Sequence, residues 1–117
     1  MKTVFVVDDS DTNLLMAEEA LEDDYNVMTV PSAAKMFSLL EKKIPDLILL
    51  DIEMPVMNGF EALEKLKAGS WKDIPVIFLT GTTNESIEQQ SSKLGAVGLI
   101  TKPFSAPSLI SCIKTHI

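Results

Sequence analysis

The stretch DLILLDIEMPVMNG, residues 46–59, decides the fold. Leu47 to Leu50 form an unbroken apolar run, the signature of a strand buried on both faces, as in a parallel sheet covered by helices. The run meets Asp51 directly, then Glu53, Pro55 and Gly59. A carboxylate at the tip of a buried strand is costly unless it is solvated, paired or bound to a cation.

Outward from this stretch, short apolar runs alternate with longer amphipathic ones. The strand candidates are TVFVV (3–7), NVMTV (26–30), DLILL (46–50), PVIFLT (75–80) and GLIT (98–101). Helix candidates lie at 11–22, 32–43, 59–68, 84–94 and 106–116, with Ser32, Asn84 and Ser105 where N-caps belong. Such alternation predicts an α/β fold, a doubly wound five-stranded parallel sheet with helices on both faces. Runs 1, 3 and 4 are almost wholly apolar and belong at the centre. NVMTV is mixed and GLIT short, so both belong at the edges. With right-handed crossovers the order is 2-1-3-4-5.

Length and composition narrow the function classes. The 117 residues make one domain, 1–117, either free-standing or part of a longer protein. A single cysteine, Cys112, excludes an internal disulfide, and a reduced cytoplasmic setting is expected. The start, MKTVFVVDDS, is too short in apolar residues for a signal peptide, and no stretch is long enough to span a membrane. The net charge is −7, and there is no arginine, the residue best suited to bidentate reading of phosphate and guanine. Direct nucleic-acid binding is therefore not expected.

Ligands of such sheets gather outside the carboxyl ends of the strands. Run 1 ends in Asp8-Asp9, run 3 in Asp51, run 4 in Thr80-Gly81 and run 5 in Thr101-Lys102-Pro103, whereas edge run 2 ends in Val30-Pro31. Each residue alone has a bland reading, as a turn, a cap or a surface charge. Together they bring three carboxylates, a hydroxyl and an amine to one edge. At ~5 Å and an effective dielectric of ~20, each pair of like charges costs about 3 kcal/mol. A hard divalent cation relieves this, and carboxylates with a few waters suit Mg²⁺. Cation, Lys102 and Thr80 around one acid are what an incoming phosphoryl group needs while a carboxylate attacks phosphorus in line. Gly81 leaves room for that group. Asp51 is placed as the acceptor.

The pieces VFVVDDS, DLILLDIEMPVMNGFE, PVIFLTG and GAVGLITKPF resemble the two-component response-regulator receiver domain, over essentially the whole chain. The resemblance implies a flavodoxin-like fold of the order above. It implies a phosphorylation-dependent switch in which Asp51 takes a phosphoryl group from a histidine kinase or phosphotransfer protein. Its chemistry would be Mg²⁺-dependent self-phosphorylation and slow self-dephosphorylation, with a change in the partner-binding surface. Asp9 would ligate Mg²⁺ directly, Asp8 mainly through water, Asp51 by its carboxylate and Glu53 by its backbone carbonyl. Thr80 and Lys102 would bind phosphoryl oxygens, and the Lys102–Pro103 peptide would be cis. Glu53 and Thr82 hold positions that in the family tune how long the acyl phosphate survives. One position departs: Leu99 stands three residues before Lys102, where the family commonly has an aromatic switch residue.

Two surfaces are candidates for partners. Helix 1 is predicted to face the core with Met16, Ala17, Ala20 and Leu21, leaving Leu14 and Leu15 partly outside; the family's kinase partner docks near its start. Helix 5 carries Leu109, Ile110, Ile113 and Ile117 and one full charge, Lys114. Either a downstream protein, another domain or a second copy packs on the strand 5/helix 5 face, or the helix is solvated and merely rich in serine. Cys112 reads as a packing residue and His116 as a surface residue. The alternative function is an aspartyl-phosphate phosphohydrolase of the haloacid-dehalogenase type. Those enzymes place their nucleophile on the first strand, whereas here it would be on the third. A flavin-binding domain of similar topology would need a phosphate loop where this chain has Asp8-Asp9-Ser10-Asp11.

Overall fold

The computed structural model describes all 117 residues. Five strands alternate with five helices: β1 Thr3–Val7, α1 Asp11–Leu21, β2 Asn26–Val30, α2 Ala33–Leu40, β3 Leu47–Asp51, α3 Gly59–Ala68, β4 Val76–Thr80, α4 Glu85–Leu94, β5 Gly98–Thr101 and α5 Ala106–His116. The strands form one parallel sheet in the order β2-β1-β3-β4-β5. Every residue of β1, β3 and β4 is buried, while β2 and β5 are partly exposed, as edges are. No helix is long and apolar enough to cross a membrane.

The alternation of side chains along each strand divides the core in two. Phe5, Val7, Ile48, Leu50 and Phe78 point to one face and pack with Met36, Leu40, Leu63 and Leu66 of α2 and α3, with Ile87 and Leu94 of α4 at the margin. Val4, Val6, Leu47, Leu49, Ile77 and Leu79 point to the other, against Leu14, Ala17 and Leu21 of α1 and Leu109 and Ile113 of α5.

Strand 3 is shifted by one residue from its sequence reading. Asp46 lies outside it, its carboxylate accepting the Thr3 N–H at 2.7 Å, and Asp51 is the last strand residue. Helix α2 ends at Leu40, not at residue 43, and the Lys42 and Lys43 N–H groups both fold back onto the Leu39 carbonyl. Pro45 follows closely, and the residue before a proline disfavours helix. The expected caps Ser32, Asn84 and Ser105 each accept the N–H three residues on. Two further caps are Ser10 on α1 and Asn58 on α3, the latter in a reciprocal pair with Glu61.

Helix α1 is rotated from the expected phase. Leu14, Ala17 and Leu21 are buried, and Met16 is 42% exposed. The spacing of those three residues, i, i+3 and i+7, makes a complete stripe, so Met16 falls off it. It lines a shallow groove with Glu19, Ala20, Phe104 and Ala106. Leu15 is exposed, as expected. On α5, Leu109 and Ile113 are buried and Ile110, Cys112 and Ile117 pack against the same core. Its exposed residues are Ala106, Pro107, Ser108, Ser111, Lys114 and Thr115, a mostly polar surface with one full charge. Trp71 packs on Phe37 with ring centroids 5.8 Å apart, beside Ile44, Pro45 and Pro75, at the end of the sheet opposite Asp51.

Candidate functional site

Four central and flanking elements end at one rim. Asp8 is the first residue beyond β1, and its N–H continues the ladder to the Val30 carbonyl at 3.1 Å. Its carboxylate is fixed by the start of α1: the Ser10 N–H donates to Oδ1 at 2.9 Å and the Asn13 amide to Oδ2 at 3.3 Å. Asp51 and Thr80 close β3 and β4. Lys102 follows β5, and its N–H is held by the Thr80 carbonyl at 2.7 Å. The next peptide, Lys102–Pro103, is cis, in line with the resemblance.

The Lys102 ammonium bridges two acids. Its Nζ lies 2.9 Å from Asp51 Oδ1 and 3.1 Å from Asp8 Oδ2. The Asp8 and Asp51 side chains are 0% and 1% exposed. Ion pairs this buried are weak contributors to net stability, because desolvation offsets attraction. The Glu53 N–H also donates to Asp51 Oδ1, at 3.2 Å. Both donors to Asp51 thus fall on Oδ1, and Oδ2 accepts none while not being sealed from solvent.

Charge balance follows from burial. Desolvation pushes the Asp51 carboxyl up, Lys102 pulls it down, Asp8 pushes it up again, and the result is about 7. Burial lowers Lys102, yet its bonds and attraction to Asp51 and Asp8 prevail and hold its pKa above the ordinary value. Glu53 moves the other way. Its partial burial is outweighed by bonds from the Thr80 hydroxyl and the backbone, so its carboxyl lies below the usual range.

Carboxylate oxygens of Asp8, Asp9 and Asp51 all lie within 4.8 Å of one another. Asp9 is the exposed member. Three hard oxygen donors with one lysine beside them leave an uncompensated negative charge, and this donor set fits a hard divalent cation such as Mg²⁺. The Glu53 carbonyl takes no hydrogen bond. The Glu53 carboxylate does not join the cluster. It turns to β4, where Oε1 accepts the Thr80 hydroxyl at 2.6 Å and the Gly81 N–H at 3.3 Å.

The sequence placed Glu53 beside the site, as a carbonyl ligand and at a position that in the family tunes acyl-phosphate survival, but not its contact with Thr80, since nothing in a loop sequence says which way a glutamate folds. It also missed Asn13 and the Ser10 N–H as the groups that fix Asp8. The signal available was the capping serine two residues after Asp8. Around Gly81 the space is open: a Cβ there would meet nothing within 4 Å. Leu99 is half-buried against the α2–α3–α4 side of the core and contributes no ring. The Thr83 and Thr101 hydroxyls, 2.6 Å apart, tie the loop after β4 to the end of β5.

Residues 4–114 match the response regulator receiver domain. Among curated proteins, a probable cyclic di-GMP phosphodiesterase of Vibrio cholerae is 39% identical over 116 residues, 98% of this chain and 26% of that protein, so the chain spans about a quarter of this relative. The polar-differentiation response regulator DivK of Brucella ovis is 30% identical over 99% of this chain and 96% of its own length. The solved chemotaxis protein CheY4 of Vibrio cholerae superposes with a TM-score of 0.95 at 31% identity, covering 100% of this chain and 99% of that one. A parallel 2-1-3-4-5 sheet, an acid cluster at the ends of β1 and β3 with the lysine after β5 beside it, a family model matched over residues 4–114 and a response regulator matched over 96% of its length lead to one conclusion: the chain belongs to the response regulator receiver domain family.

Proposed function

We propose that this domain works in phosphorylation-dependent signalling with a histidine kinase as partner, as its family implies. We propose that Asp51 of this domain is the phosphoryl acceptor, with a phosphohistidine of a kinase or phosphotransfer protein as donor. The observation that carries this reading is the state of the Asp51 carboxylate: buried at a strand end, held through Oδ1 by Lys102 and the Glu53 N–H, and free at Oδ2.

In the transfer, an Asp51 oxygen forms the new bond to phosphorus as the P–N bond to the donor imidazole breaks. The bonding pair leaves with the imidazole nitrogen, which takes a proton from solvent. Lys102 stays beside the acid and neutralises phosphoryl oxygens, while the Thr80 hydroxyl and Gly81 N–H turn to them as donors. Mg²⁺ bound by Asp8, Asp9, Asp51 and the Glu53 carbonyl would neutralise charge on the transferring group. Asp8, pinned by the Ser10 N–H and the Asn13 amide, holds Lys102 in place. The product is an acyl phosphate, which the same site loses slowly to water.

With Leu99 in place of a ring, the change must pass to the surface through Thr80, Lys102 and the loop tied to β5 by Thr83 and Thr101. A downstream protein or second copy at the strand 5/helix 5 face would meet a mainly polar surface. Incubation with a small phosphodonor and Mg²⁺ should add the mass of one phosphoryl group, and chelation should prevent it. Continuous turnover of phosphate monoesters by the domain would favour a phosphohydrolase instead.

A further inference from the structure

We propose that the Glu53 carboxylate is a built-in competitor for the phosphoryl seat, holding the Thr80 hydroxyl and the Gly81 N–H until a phosphoryl group displaces it. The inference rests on the reading of Asp51 as acceptor. Thr80 and Gly81 are the neutral donors on the β4 side of Asp51. A single anionic oxygen, Glu53 Oε1, takes both, at 2.6 Å and 3.3 Å. A pair of adjacent donors converging on one anionic oxygen is how a phosphoryl oxygen is held.

Glu53 reaches them because its backbone is fixed two residues past Asp51, where its own N–H donates to Asp51 Oδ1 at 3.2 Å. The residue as a whole is exposed, so its side chain has open solvent to swing into. The Thr80 hydroxyl has one hydrogen and two acceptors in reach, Glu53 at 2.6 Å and the Thr82 carbonyl at 2.9 Å. The Thr80 hydroxyl is therefore already engaged by Glu53 before any phosphoryl group arrives. What phosphorylation changes locally is the place of Glu53, which is pushed outward as an added negative charge on the rim. Occupancy of the seat and like charge both oppose an incoming anion, and substitution separates them.

Beryllofluoride, a tetrahedral phosphoryl mimic, is the probe, titrated with excess Mg²⁺ and followed by the Gly81 amide resonance. Glu53→Ala removes both charge and contact. Glu53→Asp keeps the charge but is one methylene shorter and loses the reach to Thr80. Glu53→Asp should bind the mimic about tenfold more tightly than the parent, the worth of one charge-assisted hydrogen bond, and Glu53→Ala more tightly still because the charge goes too. Both should also move the Gly81 amide in the ligand-free protein. If only Glu53→Ala gains affinity, the effect is charge repulsion and the proposal falls. An unmoved Gly81 amide in Glu53→Ala overturns it too. Binding of the mimic by neither the parent nor any variant removes the acceptor reading itself, and the inference with it.

Discussion

Val56, five residues after Asp51, has a φ of 69° and a side chain wholly in solvent. The Met57 N–H closes a three-residue turn onto the Pro55 carbonyl at 2.8 Å, with Val56 at its centre. That turn is strained for any residue with a Cβ, and most for a β-branched one. Val56→Gly should therefore stabilise the protein by about 0.5–1 kcal/mol, the strain relieved exceeding the entropy glycine adds to the unfolded chain. A urea midpoint below that of the parent would show that the turn carries no strain. The turn lies between Asp51 and the cap of α3.

The junction of β3 and α3 decides where Asp51 stands. A Cβ on Gly59 would lie 2.5 Å from the Asp51 carbonyl oxygen and 2.8 Å from the Ile52 Cα, both backbone atoms that cannot step aside. The Gly59 N–H is also bonded to the Ile52 carbonyl at 2.9 Å. Gly59→Ala should destabilise by about 1–3 kcal/mol through overpacking. It should also slow phosphorylation, because relief of the clash moves the end of β3. Unchanged melting and an unchanged phosphorylation rate would show that the junction has slack. At this scale the sequence was legible wherever one signal was strong. The apolar runs placed all five strands, and the residues ending them placed Asp8, Asp51, Thr80 and Lys102 on one rim. The phase of α1 was not legible: DTNLLMAEEAL has apolar residues on more than one face, and only packing chooses Leu14 over Met16. The capping role of Asn58 was hidden because Asn-Gly reads equally as a turn. The fold of Glu53 onto Thr80 was hidden because a loop glutamate has no periodic pattern that fixes its direction.

Over the whole molecule, the site carries an electrostatic load that links stability to pH and metal. Burial pushes Asp51 up to about 7, against 3.8 for an unperturbed aspartate, so between about pH 4 and 7 the folded protein binds more protons than the unfolded one. The contribution of this group is greatest at low pH and is lost as pH rises through that window. Asp51→Asn should remove this slope while keeping the fold. Mg²⁺ favours the ionised acid and should flatten the slope, adding about 2.7 kcal/mol of stability at a hundredfold excess over its dissociation constant. Asp9→Ala should abolish that gain, and melts at two pH values with and without Mg²⁺ check all of these. Identical slopes in the parent and Asp51→Asn would mean that another group sets the pH dependence. The central claim is that one buried acid among the strand-end residues receives the phosphoryl group. Peptide mapping of the protein after reaction with a small phosphodonor and Mg²⁺ tests it most directly. All label should lie on Asp51 and vanish in Asp51→Asn; label on any other residue, or undiminished label in that variant, contradicts the account.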